Sequence, residues 1–174
     1  MAMSYRKAND EVLYPANSFV TVSAQDIAYL KKEAMNNPRQ RIRLCSHQDP
    51  ADKVHEMFII HGRDAYVRPH KHLKRMESFF VIEGEVDVIF FDDEGGITRK
   101  VEMGALASGK TFYYRLNEKE YHTLYIKSDL ICFFEATSGP FNADDTLFAP
   151  WSPDGKDPAE AKEFMQELIR REMS

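Results

Sequence analysis

The sequence predicts an all-β chain, a barrel or sandwich of short strands flanked by short N- and C-terminal helices, and three observations carry that reading. Between residues 41 and 136 the chain breaks into short runs rich in Val, Ile, Phe, Tyr and Thr, separated by glycine or polar turns. Helical periodicity occurs only outside that span. The size, 174 residues with 43% hydrophobic and 12% aromatic residues, suits one domain with a sizeable core. The expected organisation is an N-terminal extension with a helix over 1–40, a single barrel domain over 41–136, and a C-terminal strap and helix packed on the barrel over 137–174.

Taken in order, Ser23 opens a helix that runs to about Asn36, with Asp26 completing a variant of the capping box, Ile27, Leu30 and Ala34 at helical spacing, and Pro38 closing it. Strands are expected at about 41–46, 54–61, 65–69, 77–82, 85–91, 97–103, 111–116, 121–126 and 130–136. Gly84 separates two apolar runs, Asp93-Glu94-Gly95-Gly96 reads as a hairpin loop, and Asn117-Glu118-Lys119 as a polar break. From Thr137 to Pro158 the chain holds four of its eight prolines and its only tryptophan. The aromatic residues of that stretch, Phe141, Phe148 and Trp151, give a strap area with which to lie on the barrel. Pro158 fits the first turn of a second helix, with Phe164, Met165 and Leu168 as its apolar stripe.

Composition narrows the function classes. With 23 Lys and Arg against 28 Asp and Glu the net charge is −5, which argues against a nucleic-acid module. The longest unbroken apolar run, Leu130 to Phe134, is far below the roughly 20 residues of a spanning helix, so no membrane partner is expected. Met1 to Asp10 is polar, without the apolar stretch of a secretory signal, and a cytoplasmic location is expected. Two cysteines, Cys45 and Cys132, form no disulfide framework or zinc spacing and read as buried small apolar residues.

The chemistry concentrates in Pro69-His70-Lys71-His72-Leu73-Lys74-Arg75-Met76-Glu77, followed after six intervening residues by Gly84. On a strand, His70 and His72 point to the same face about 6.6 Å apart and can share one metal ion. Glu77, after a turn, can present a carboxylate to the same point, and His122, inside a strand pattern, is the candidate fourth ligand. His47, His55 and His61 lack such spacing and read as structural or solvated, with the possibility open that one of them reaches the lumen. A donor set of three imidazoles and one carboxylate suits one divalent ion per chain, Fe, Mn, Ni, Co or Zn.

This segment resembles the first motif of the cupin superfamily, a glycine, His-x-His, three or four residues, Glu, six residues and Gly, here Gly62, His70, His72, Glu77 and Gly84. The second cupin motif survives in part as Gly104, Gly109 and His122, with Ile126 where an Asn is expected. The resemblance implies a double-stranded β-helix, or jelly-roll barrel. Arg41-Ile42-Arg43-Leu44, Tyr66-Val67-Arg68-Pro69, Glu135 to Phe141 and Phe148-Ala149-Pro150-Trp151 are similar to the cupin fold metalloprotein family called WbuC, over roughly residues 20–152. That likeness implies a role in O-antigen or other surface-polysaccharide biosynthesis.

Around the metal, unbroken strand alternation places Tyr66 and Arg68 on the face of His70 and His72, with Arg68 as a guanidinium for a carboxylate or phosphate. Arg63, Lys71, Lys74 and Arg75 form either a positive rim or a solvated loop. Tyr113 and Tyr114 are candidate proton donors or sugar-stacking rings, one of which faces the lumen. Apolar residues on both faces of 77–82 ask for cover by the helices, the strap or a second subunit, so a homodimer is expected. The leading expectation is a metal-dependent isomerase, epimerase or dehydratase acting on a small anionic sugar derivative. Its rivals are a non-catalytic sugar- or organic-acid-binding metallocupin and an Fe(II)-dependent oxygenase.

Overall fold

The computed structural model describes residues 4–172. Twelve strands and two α-helices follow in order: β1 Tyr5–Asn9, β2 Val12–Pro15, α1 Ala24–Asn36, β3 Arg41–Cys45, β4 Val54–Gly62, β5 His70–His72, β6 Glu77–Glu83, β7 Glu85–Phe91, β8 Ile97–Gly104, β9 Tyr113–Leu116, β10 Tyr121–Ile126, β11 Leu130–Ser138, β12 Thr146–Phe148 and α2 Pro158–Glu172. They form a seven-stranded sheet, β1-β2-β3-β4-β11-β6-β9, facing a five-stranded sheet, β12-β5-β10-β7-β8. The architecture is the cupin-type jelly-roll barrel with short terminal helices that the sequence implied.

Alternation along the strands sorts side chains into an inner and an outer set. Ile59, Phe79, Val81, Val88, Phe90, Ile131 and Phe133 point inward and make the core between the sheets. Outward residues of the larger sheet, Ile42, Leu44, Ile60 and Cys132, pack under Leu30 and Ala34 of α1. Outward residues of the smaller sheet, Ile89, Phe91 and Tyr121, are covered by Trp151, Leu168 and Ile169. On the outer face of 77–82, Ile82 joins the cluster under α1, whereas Phe80 stays exposed. Ser23 caps α1 as read from the sequence: its backbone N–H donates to Asp26 at 2.8 Å and its hydroxyl accepts from the Asp26 N–H, an arrangement worth about 1 kcal/mol.

Several expectations need correction. Residues 65–69 form no strand, because the chain there leaves one sheet to reach the other and its backbone is pinned by side chains, with Thr123 donating to the Val67 carbonyl. Two strands precede α1 that the sequence reading left out, and Val12 and Leu13 of β2 run parallel to β3 at Arg43 and Leu44. Strands of five and four residues leave little period-2 signal, and it is pairing that creates them. In the strap, Trp151 docks on the barrel, while Phe141 and Phe148 remain about half exposed, each beneath an arginine. Both cysteines are free and buried. No helix among the described residues is long and apolar enough to cross a membrane.

Candidate metal centre

The centre forms where the two sheets meet at one end of the lumen. His70 and His122 sit directly opposite each other in the β5–β10 pair, which brings their rings to 4.6 Å between centroids. His72 follows two residues on and shares the inward face. Glu77 opens β6 in the other sheet, after a turn held by the strap: the Asp145 carbonyl accepts from the Leu73 N–H and its carboxylate from the Arg75 N–H. Gly84 closes β6 with φ +90, and a side chain there would strike the Leu130 carbonyl, so the tight turn into β7 requires glycine.

One ring nitrogen from each of His70, His72 and His122 lies within 4.8 Å of the other two, a group that could hold a metal ion. Glu77 Oε2 stands 3.3 Å from His72 Nε2 and 3.8 Å from His122 Nε2. Two donors bound at about 2.1 Å to one tetrahedral ion stand about 3.4 Å apart, so these separations suit shared coordination. The rings are oriented from behind, His70 by the Arg68 carbonyl on Nδ1 at 2.9 Å and His122 by the Glu120 carbonyl on Nδ1 at 3.1 Å. A carbonyl at Nδ1 fixes the proton there and turns the Nε2 lone pair to the centre. The Nε2 of His122 is buried without a hydrogen-bond partner, an unmet capacity that a cation would use. His72 differs, since its Nδ1 faces the Arg75 guanidinium at 3.2 Å and the Thr146 hydroxyl at 3.5 Å.

Charge follows from this packing. Burial opposes ionisation of Glu77, but the His122 and His72 rings and the Tyr114 hydroxyl hold its carboxyl well below the usual carboxylate range. Burial, reinforced by the two neighbouring rings, lowers His70 to about 3. His122 moves the other way: burial would lower it, and the Glu77 carboxylate overrides that. Tyr114 donates its hydroxyl proton to Glu77 Oε1 at 2.5 Å, leaving Oε2 to the histidines.

The centre lies at one end of a cavity of about 340 Å³ whose lining includes His70, His122, Glu77, Tyr114, His61 and Glu135. On the inward faces of β6 and β11, Glu77 stands opposite Thr137 and Phe79 opposite Glu135, which makes the two glutamates diagonal neighbours. Burial, with Glu77 as the second cause, pushes the Glu135 carboxyl up to about 8, so it holds its proton at neutral pH. His61 joins this lining, the one of the three remaining histidines to do so, whereas His47 and His55 stack on each other at 4.1 Å outside the cavity lining.

Other predicted site residues lie elsewhere. Arg68 and Tyr66 do not line the cavity; Val67 does. With no strand at 65–69 the alternation that would have aimed them inward does not hold, and both turn beneath the strap. Arg68 donates to Ser152 Oγ at 3.2 Å and to the Ala149 and Ser152 carbonyls, and Tyr66 donates to the Pro153 carbonyl at 3.0 Å. Of the two tyrosines, Tyr114 is inward and Tyr113 outward, 47% exposed and beside the Ser78 hydroxyl. The suggested positive rim is largely neutralised, since Lys71 pairs with Asp93, Arg63 with Asp129 and Arg75 with Asp145. Glu135 and Arg43 are lumen residues that the sequence reading does not single out, and inward parity on β11 and β3 is the signal that finds them; His61 is the one of the three histidines left open for the lumen that reaches it.

A family described as a domain of unknown function (DUF6016) matches residues 22–103. No curated protein matches the sequence. Among solved structures, L-ribose isomerase of Cellulomonas parahominis is similar at 15% identity and a TM-score of 0.52, covering 64% of this chain and 70% of that one. Protein SO0799 of Shewanella oneidensis is similar at 13% identity and a TM-score of 0.50, with 61% and 72% covered. The cupin domain of Schizosaccharomyces pombe Cnp3 overlaps at 11% identity and a TM-score of 0.44, with 57% and 64% covered. At these identities the likeness to the first two is one of fold, and it agrees with the jelly-roll barrel traced above.

Proposed function

We propose that the protein is a metal-dependent cupin enzyme of the isomerase, epimerase or dehydratase type, acting on a small anionic sugar derivative in surface-polysaccharide biosynthesis. The observation that carries this reading is the convergence of three ring nitrogens and the Glu77 carboxylate at the inner end of a cavity large enough for a small ligand. His70, His72, His122 and Glu77 would hold one divalent ion, Fe, Mn, Ni, Co or Zn. Such an ion supplies Lewis acidity toward a carbonyl or adjacent hydroxyls.

The chain's own residues divide the remaining work. Tyr114 fixes the Glu77 carboxylate by hydrogen bonding one oxygen, and so directs the other. Glu135, whose carboxyl burial pushes up and which lines the same cavity, can exchange a proton with a sugar oxygen. The apolar lining of Phe79, Phe133 and Leu124 limits water around that transfer. Exposed Phe80 and Tyr113, paired on the outer face of the β6–β9 edge, suit a homodimer contact, and the cytoplasm is the proposed location.

Metal analysis of untagged protein, followed by screening of aldose, ketose and nucleotide-sugar substrates with wild type and Glu135→Gln, tests the reading. About one ion per chain with turnover in the wild type and at least hundredfold less in Glu135→Gln supports it. Stoichiometric metal with ligand binding but no turnover would make the protein a binding metallocupin. Oxygen uptake with Fe(II) and none with Zn(II) would make it an oxygenase.

A further inference from the structure

The end of the cavity opposite the metal centre carries charge that the reading above leaves unused. The exposed residues of the lining are Asn9 and Arg43, so the mouth lies on the β1–β3 side. Two arginines pair with one carboxylate there, Glu11 taking Arg41 at 2.7 Å and Arg39 at 3.2 Å, and a third, Arg43, follows two residues after Arg41 on β3. The Arg43 backbone N–H donates to the Glu11 carbonyl, but its guanidinium makes no hydrogen bond or ion pair among the described residues, although the residue borders the cavity. Beside it, His61 stands opposite Arg41 in the β3–β4 pair, and its Nδ1 is buried with no partner. Burial, and then the three nearby arginines, lower His61 to about 3, so it is a neutral ring with hydrogen-bonding capacity to spare. Of the two acids in this part of the lining, Glu11 is paired with Arg41 and Arg39, and burial pushes the Glu135 carboxyl up to about 8, so neither presents an unpaired negative charge to an anion.

We propose that Arg43 and His61 form an anion subsite at the cavity mouth, which takes the carboxylate or phosphate of a two-ended ligand whose oxygens reach toward the His70/His72/His122/Glu77 end. This deepens the sugar-derivative reading and rests on it. The geometry favours a two-ended ligand because Arg43 and Glu77 belong to strands separated by β4 and β11, at opposite ends of one continuous cavity. A guanidinium with all its donors free matches a planar carboxylate or a phosphate in bidentate fashion. The subsite takes over the role that the sequence reading gave to Arg68, whose donors are already engaged by the strap.

Calorimetric titration of the full chain with D-ribose, D-ribose 5-phosphate and D-ribonate, in the Mn(II)-loaded and in the chelator-treated form, tests the proposal. At least one anionic probe should bind wild type tenfold or more tightly than ribose, and the identity of that probe separates phosphate from carboxylate. The preference should fall below threefold in Arg43→Ala, return in part in Arg43→Lys, and persist in Arg63→Ala, an exposed arginine outside the cavity. His61→Phe should weaken the preferred probe at least threefold with metal content unchanged. Equal binding of ribose and both anions, an undiminished preference in Arg43→Ala, loss of preference in Arg63→Ala, or no binding of any probe would overturn it. Anion preference in a chain that takes up no metal would sink the metal-centre reading and leave the subsite standing; full metal content without anion preference would do the reverse.

Discussion

The lumen cluster around Glu77 and the strap corner around Arg68 are built from similar parts, and they spend their polar groups in opposite ways. At the strap corner, Arg68 stacks over Phe148 at 5.0 Å and gives its N–H groups to Ser152 and two carbonyls, while Tyr66 and Trp151 each find a backbone carbonyl. In the lumen, Tyr114 and Glu77 satisfy each other, yet His122 Nε2 and His61 Nδ1 stay buried without partners and Arg43 stays unpaired. A buried unsatisfied nitrogen costs about 1–3 kcal/mol, so a fold that keeps two around one cavity gives up stability there. Residue type did not separate the two regions. Unspent hydrogen-bonding capacity did, and it is the reason for proposing the lumen, and not the strap corner, as the binding region.

The sharpest way to break this comparison is to remove a lumen imidazole. His70→Ala, His72→Ala and His122→Ala should each abolish stoichiometric metal by mass spectrometry while leaving a folded barrel, and His47→Ala should leave metal intact. Equal loss in all four would dissolve the distinction. Next in size, Arg68→Ala should cost about 2–3 kcal/mol in urea unfolding, because it strands the Ser152 carbonyl and removes the charge-assisted bonds to Ser152 Oγ and the Ala149 carbonyl. Its metal content should not change; a loss would mean that the strap belongs to the site.

Smaller effects refine the boundary. Tyr114→Phe frees one Glu77 oxygen and should lower metal affinity about 10- to 100-fold at unchanged stability, as outer-shell partners of metal ligands do. For pH, the sign follows from His61, whose folded pKa of about 3 lies below its ordinary 6.5. Between those values the unfolded chain holds the extra proton, so stability is full above about pH 6.5 and falls as pH drops toward 3. This group alone contributes ~1.4 kcal/mol per pH unit. Chelator-treated His61→Asn should show a shallower acid loss than wild type in unfolding series from pH 7 to 4, and parallel curves would contradict the burial of a neutral ring. Smallest of all, Tyr113→Phe should change metal content not at all and stability by less than about 0.5 kcal/mol.

What could be read from the sequence was what local chemistry encodes. His70, His72, Glu77 and Gly84 lie within one strand-turn-strand segment, so their spacing alone brings them near one point, and the Ser23 cap and Pro158 start depend on neighbours within one helical turn. The choice between Tyr113 and Tyr114 was closed to the sequence, because parity on β9 is set by its pairing with β6, at Phe80 and Phe79. Arg68 failed for a related reason: alternation is a property of a paired strand, and residues 65–69 are not paired. Arg43 and His61 are 18 residues apart along the chain, and His61 and Glu135 are 74 apart. They share a cavity only through the register of β3 on β4 and β4 on β11.

The sequence by itself therefore determined the strand-rich body, the helix ends and a His-x-His…Glu constellation, since each depends on contacts a few residues apart. Only the tertiary structure decided which arginine faces the cavity, which tyrosine holds Glu77 and which glutamate keeps its proton. Those outcomes turn on long-range pairing, burial and the competition of backbone carbonyls for the same donors.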